Sequence, residues 1–399
     1  MKFKITNIKS IFTYNPESKS VESLTNKELL IQDGIIMLID EFIPFEGKIV
    51  DANNYVLTPG FIDSHTHPIF IKNRAAEFNM RCIGKKYNEI AKNGGGINSS
   101  VDMFRKSNID DIYQSSVNNI NELTANGSTT IEAKSGYGLT LKDEIRSLEV
   151  INKINNNFSV DIVPTFMGAH AIPKEFSNDK QIYIDLICNE MIPLISDKKL
   201  ANFCDVFCEK GYFDLEDTKN ILLSAIKYGM KIKIHADEFL DIGAVDLAIQ
   251  LDALSVDHLM NSSLESIKKL GNSNVIGTLL PGTSFFLGGA KYANGRKMID
   301  EGVEVALATD FNPGSCTITS LPMVMLLSML HCGLTIEESF KGVTYNAAKA
   351  ISFEDSIGIV KENYKADLLF WDIEELVEIP YWFNHNKLKK IMKNGEFIN

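Results

Sequence analysis

What the chain lacks narrows its possible roles at once. No apolar run reaches bilayer length: the longest, around Pro322 to Leu330, is interrupted by Ser328 and falls far short of the roughly 20 residues a spanning helix needs. It reads as a buried helix, so no membrane partner is expected. Basic blocks are missing too. The formal net charge is -12, and the lysines and arginines are scattered, which argues against nucleic acid as a partner. The opening segment, MKFKITNIKSIFTY, alternates apolar and polar residues like a strand and has no continuous apolar core of a secretory signal. Secretion is not indicated, and a cytoplasmic location is expected. Cysteine is sparse: six residues (Cys82, Cys188, Cys204, Cys208, Cys316, Cys332) stand at irregular spacings without CxxC pairs, which excludes a disulfide framework and suits a reducing compartment. Cys204 and Cys208, four apart in FCDVFCE, share one strand face and are expected to pack in the core.

What is present is an ordinary globular composition, 45% hydrophobic and 23% charged over 399 residues, enough for one large domain and a smaller partner. Eight short apolar segments read as strands: VLTPGFIDSH, STTIEAKS, DIVPTFMGAH, FCDVFCE, KIKIHADE, SVDHL, VIGTLLPGT and EVALATD. Amphipathic stretches such as Lys142 to Ile154 and Asp217 to Lys227 lie between them at helical spacing. This alternation predicts an α/β fold of βαβ units, and eight units between residues 57 and 351 match a (β/α)8 TIM barrel, with a doubly wound open sheet as the rival. Residues 1–56 and 352–399 differ, being rich in short strands and in turns such as Asp33-Gly34 and Asn394-Gly395.

Of the seven histidines, five (His65, His67, His170, His235 and His258) stand at the C-terminal ends of predicted strands. In a barrel those ends converge on one mouth. In FIDSHTHP, His65 and His67 alternate and project to the same side, where two imidazoles can chelate one cation. Asp310, ending the last strand in ALATDFNPG, can ligate the same ion and accept a proton from its water. In KIKIHADEF, His235 suits a ligand position, and Glu238 suits a carboxylate on the loop above, able to shuttle protons. Asp237 points away from His235 in extended geometry and is expected to be structural or solvent-facing. These residue types gathered at one mouth point to a bound metal ion.

FIDSHTHP, IHADE, VDHL and ATDFNPG, in this order, resemble the metal-binding signature of the amidohydrolase superfamily across nearly the whole chain. The resemblance implies the barrel with a small β-sandwich built from both chain ends, and a mononuclear site in which His65, His67, His235 and Asp310 hold one divalent or trivalent ion per chain, Zn2+ or Fe3+. No lysine ends strand 4, where a bridging lysine of a binuclear member would stand; the nearest is Lys210. Longer strings (RAAEF, YNEIAKNGGGI, EAKSGYGL, PTFMGAHAIP, IHADEF, TDFNPGS) are similar to those of the cyclic-amide hydrolases that act in histidine degradation. The implied reaction is hydrolysis of 4-imidazolone-5-propanoate to N-formimidoyl-L-glutamate. A purine or pyrimidine ring deaminase would share the metal residues and is the alternative; a catalytically silent barrel is the non-enzyme one.

In that reading Glu238 and Asp310 are the proton-transfer candidates, and His258 or His170 donates to the developing oxyanion. Arg74, seven residues after His67, has the planar fork that suits the carboxylate arm of a small anionic substrate. Tyr87 and Tyr137 can add hydroxyl bonds to that arm, and the family pattern favours Tyr137. The resemblance also places Asn312, Gly314 and Ser315 against the glutamate-like part. Gly94-Gly95-Gly96 lacks a GK[ST] ending, so it is read as a glycine-rich lid, not a phosphate loop. A homodimer is the commonest assembly for such an enzyme, though no segment marks an interface.

Overall fold

The computed structural model describes residues 1–85, 95–289 and 291–398. Eight parallel strands form one sheet in chain order: Phe61–Asp63, Ser128–Lys134, Asp161–Ala169, Phe203–Cys208, Lys231–Ala236, Ser255–His258, Ile276–Leu279 and Val305–Leu307. Each falls within one of the eight segments read as strands. Just past the first and last, Thr66 bridges Phe311 in parallel, and the Asp310 N–H donates to the His65 carbonyl at 3.0 Å. The sheet is thereby drawn round into a barrel, and the open-sheet rival is set aside.

Alternation along these strands sorts the side chains. Ile131, Ala133, Cys204, Val206, Cys208, Ile232 and Ile234 belong to the main hydrophobic core. The intervening Glu132, Lys134, Asp205, Lys233 and His235 are buried as well, on the opposite, inward face. Helices cover the outside. Leu141–Asn157 begins where Thr140 accepts the Asp143 N–H, and Leu215–Lys227 begins with a reciprocal Asp214 and Asp217 capping box. Each buries an apolar stripe that includes Leu148, Ile151 and Ile154 in one and Ile221, Leu222 and Ala225 in the other.

The chain ends pair into two further sheets. One has the order Ile35–Asp40, Glu28–Gln32, Lys2–Thr6, Lys48–Asp51; the other runs Glu396–Ile398, Leu388–Lys393, Leu368–Trp371, Val56–Pro59, Ser10–Asn15, Ser20–Leu24. Phe3, Ile5, Leu29 and Ile31 from the first pack with Ile11, Leu57, Leu368 and Phe370 from the second, giving the β-sandwich its own core. Asp33-Gly34 and Asn394-Gly395 both adopt left-handed backbone, φ 52 and 81 and φ 48 and 77, the pairing that closes tight hairpins. Only Gly60 separates the sandwich strand Val56–Pro59 from the first barrel strand. A Cβ at Gly60 would lie 2.1 Å from the Thr129 hydroxyl, so the close crossing requires glycine.

Candidate active site

At the C-terminal end of the barrel a cavity is lined by His67, His170, His235, His258, Glu238, Asp310, Arg74 and Tyr137, together with Phe207, Tyr212, Asn312 and Ser315. His65 lies beneath it, fully buried, with its ring centroid 4.4 Å from that of His235 and 5.4 Å from that of His67. The strand ends that carry these groups are bent: His258 has φ 82 and Asp310 φ 51, left-handed values costing a non-glycine residue about 1–3 kcal/mol each.

The tautomers follow from the hydrogen bonds. A carboxylate only accepts, so His65 Nδ1–H donates to Asp257 at 2.6 Å and His235 Nδ1–H donates to Asp205 at 3.0 Å. Both Nε2 atoms then carry lone pairs. His235 Nε2 faces His67 Nε2 at 3.3 Å, while His65 Nε2 is buried without a hydrogen-bond partner among the described residues. Asp310 Oδ1 lies 3.6 Å and 3.5 Å from the Nε2 atoms of His65 and His67, and its other oxygen accepts from the Thr283 hydroxyl at 2.6 Å. Ligand atoms of His65, His67 and Asp310, and likewise of His65, His235 and His258, fall within 4.8 Å of one another. Lone pairs converging on one buried point, with the imidazoles of His65 and His235 held from behind by carboxylates, are the donor set of a metal ion. The residues present fit one.

The electrostatics agree. Burial, reinforced by the neighbouring imidazoles and Lys134, holds His65 and His67 well below the ordinary histidine range, which keeps their lone pairs available. Burial pushes the Glu238 carboxyl well above its ordinary value, with the Asp310 and Glu209 charges adding to it, and raises Asp310 to about 6. His170 is lowered to about 3, mainly by burial; its Nδ1–H donates to the Gly136 carbonyl at 3.0 Å and its ring stacks on His67. His258 differs, since among the described residues neither ring nitrogen has a hydrogen-bond partner and Nε2 is 3.8 Å from Glu238 Oε2.

Across the full length, the chain is 40% identical to the imidazolonepropionase of Alkaliphilus oremlandii, covering 99% of this chain and 97% of that one. The imidazolonepropionase of Geobacillus kaustophilus is 40% identical, with 94% and 90% covered. The amidohydrolase family model matches residues 56–398. This chain belongs to the amidohydrolase family, among the imidazolonepropionases. Amidohydrolases of other activities share its fold only. E. coli guanine deaminase superposes with a TM-score of 0.76 at 15% identity, covering 100% of this chain and 99% of that one. An adenosine deaminase from Xanthomonas campestris with bound zinc gives 0.74 at 14%, covering 99% and 92%. The deaminase alternative is thus the distant relation.

The amidohydrolase mouth brings together the site residues expected from sequence within the described region, with His65 directly beneath it and Gly314 just behind it. A Cβ there would lie 2.1 Å from the Arg74 guanidinium, so Gly314 is the bare surface on which Arg74 rests. Arg74 is buried, and its Nε and Nη2 donate to Glu77 at 3.0 Å and 2.7 Å. The same carboxylate accepts the Gly96 N–H. Asn312 spends its amide on its own loop, accepting from the Gly314 and Ser315 N–H groups. Tyr87 and Gly94 lie outside the described residues. Asp237 is structural: it is buried and accepts from Ser262 at 2.6 Å. Lys210 is exposed, and the fourth strand leads instead to buried Glu209, whose carboxylate accepts the Phe239 and Leu240 N–H groups and orders the loop bearing Glu238. Glu209, Asp205, Asp257 and Thr283 were not picked out from sequence. A single aspartate in an otherwise apolar strand was the available signal for Asp205.

Proposed function

We propose that this chain hydrolyses the ring amide of 4-imidazolone-5-propanoate to N-formimidoyl-L-glutamate, a step of histidine degradation. The observation that carries the reading is the convergence of imidazole lone pairs and the Asp310 carboxylate in a mouth that also holds Glu238 and Arg74. His65, His67, His235 and Asp310 would hold one Zn2+ or Fe3+ ion. The chemistry such an ion supplies when bound is Lewis acidity, which activates water as a nucleophile near neutral pH.

The protein's own groups do the rest. Asp310 keeps one oxygen toward the histidines while Thr283 fixes the other, so it is set to take a proton from the attacking water. Glu238, which burial favours in its neutral form, delivers a proton to the departing ring nitrogen. The ring C–N bond breaks, the water oxygen stays on the former carbonyl carbon as a carboxylate, and the nitrogen leaves protonated. His258 is the donor to the developing oxyanion. His170 has already given its only N–H to Gly136 and resists a second proton, so it acts as a wall and acceptor. Arg74, whose charge reaches His170, takes the propionate arm, with Tyr137 beside it. Asn312, Gly314 and Ser315 shape the loop on which that arm lies, and Tyr87 is assigned to the same arm.

In this reading the working unit is the barrel of residues 57–351, supported by a composite sandwich of residues 1–56 and 352–399. Among the described residues no helix is long and apolar enough to cross a membrane. A cytoplasmic enzyme, a homodimer acting on a small anion, completes the proposal. The test is to incubate zinc- or iron-loaded protein with freshly made imidazolone propionate, follow the loss of its ultraviolet absorbance and assay the products. Formimidoylglutamate without ammonia is expected. An inert imidazolone, with ammonia released from purine or pyrimidine rings, would transfer the site to the deaminases.

A further inference from the structure

Beneath the histidines lies a charged group that the mechanism above does not use. Glu132 and Lys134 on the second barrel strand and Asp205 on the fourth are fully buried. Lys134 Nζ is 2.7 Å from Glu132 Oε1 and 2.8 Å from Asp205 Oδ2. The other Asp205 oxygen, Oδ1, accepts the His235 Nδ1–H. An unbroken chain therefore runs from ammonium to carboxylate to imidazole, and it ends at the Nε2 that faces His67. As a stability device this is poor design, because desolvating an ammonium and two carboxylates offsets most of what their attraction returns, and apolar replacements often do as well. As an orienting device it is apt. Left alone, the Asp205 carboxylate could rotate or draw in a proton. With one oxygen held by a fixed cation, the other must receive Nδ1–H.

The surroundings point the same way. Donor atoms of His65, Asp205 and Asp257 lie within 4.8 Å of one another, a grouping that calls for a positive charge, and the Lys134 ammonium supplies it from within the chain. Burial works against that charge, yet Asp205 and Glu132 hold Lys134 above its ordinary value.

We propose that Lys134 is a positioning residue for the metal centre, acting through Asp205 to fix His235 as the tautomer whose Nε2 is free to ligate. The proposal rests on the reading that the histidine cluster holds an ion. The experiment uses the full chain, stripped of metal, as wild type, Lys134→Met, Asp205→Asn and the double variant. Each is titrated with Zn2+ alone against a competing chromophoric chelator, and the His235 imidazole nitrogens are followed by 15N NMR in the metal-free state. Both single variants should bind Zn2+ roughly 10- to 100-fold more weakly. Their His235 should change from one tautomer to a mixture. The double variant should lose no more than Asp205→Asn alone, since the lysine acts only through the aspartate. Zn2+ affinity within twofold of wild type in both single variants, with a single tautomer retained, would overturn the proposal; so would fully additive losses. If Lys134→Met does not fold, unchanged affinity and tautomer in Asp205→Asn overturn it alone. A wild type that binds no Zn2+ defeats the metal reading instead, and the metal-free tautomers still decide the relay.

Discussion

The two ends of the barrel bury the same kinds of residue in opposite conditions. At the N-terminal end, Lys393 of the sandwich reaches under the third strand and meets Asp161 at 2.8 Å and Asp367 at 2.7 Å, while Lys365 adds a second contact to Asp161 at 3.0 Å. Charge there is answered within the chain. At the mouth, His65 Nε2 and both nitrogens of His258 have no hydrogen-bond partner among the described residues, and Glu238 and Asp310 are pushed up by burial. A buried group whose bonds are met at home contributes shape; one left short is held ready for something from outside.

Substitutions at the two ends should therefore separate activity from stability. The largest effect is expected at Asp310→Asn, which weakens both ligation and proton acceptance: turnover should fall below detection while the folded fraction by circular dichroism stays intact. Wild-type-like rates would remove Asp310 from the chemistry. Glu238→Gln should lower kcat by about 10²- to 10⁴-fold, the usual worth of a positioned acid or base, with the metal content unchanged. Arg74→Ala should cost about 1.5–3 kcal/mol in kcat/KM through the lost charged contact, and shortening the substrate's carboxylate arm should erase the difference between variant and wild type.

At the other end the comparison inverts. Lys393→Met leaves Asp367 buried without its cation and should reduce unfolding free energy by about 3 kcal/mol in denaturant titrations, with kcat per folded molecule unaltered. The smallest effect is a pH dependence. Burial pushes the Asp161 carboxyl up, but Lys393 and Lys365 outweigh it and hold the carboxyl below its ordinary range. A lowered folded value means this stabilisation is complete above the unfolded carboxyl pKa of about 3.9 and is lost as pH falls through the folded value. Wild type should lose stability on acidification below about pH 4 more steeply than Lys393→Met does. Parallel acid limbs would exclude this pair as a contributor.

Much of the mouth was legible in the sequence because its residues sit at strand ends. Strand ends in a parallel barrel share one face, so His65, His67, His170, His235, His258 and Asp310 were bound to meet once eight strands were recognised. The supporting carboxylates were harder to see. Asp205 meets His235 and Asp257 meets His65 only after the strands bearing them have been assigned neighbours and register. The pairing of Lys134 with Asp205 spans two strands separated by a third. STTIEAKS and KIKIHADE do alternate polar with apolar residues, which in a strand covered on both faces marks an inward polar lining, and FCDVFCE carries one aspartate among apolar residues. Thr283 and Glu209 carried no comparable mark, since a threonine in a short helix and a strand-end glutamate are ordinary until their partners are in place.

The crossing at Gly60 has a practical consequence. Four residues of sandwich strand, one glycine and three residues of barrel strand form a single continuous ribbon from the core of one unit to the threshold of His65. Its backbone is pinned midway, where the Gly60 N–H donates to the Asp367 carbonyl at 2.8 Å. The sandwich is therefore a lever on the metal site. A chimera carrying a foreign sandwich would have to keep this ribbon and the Asp367 strand as one inherited block, or the first two imidazoles would arrive out of place.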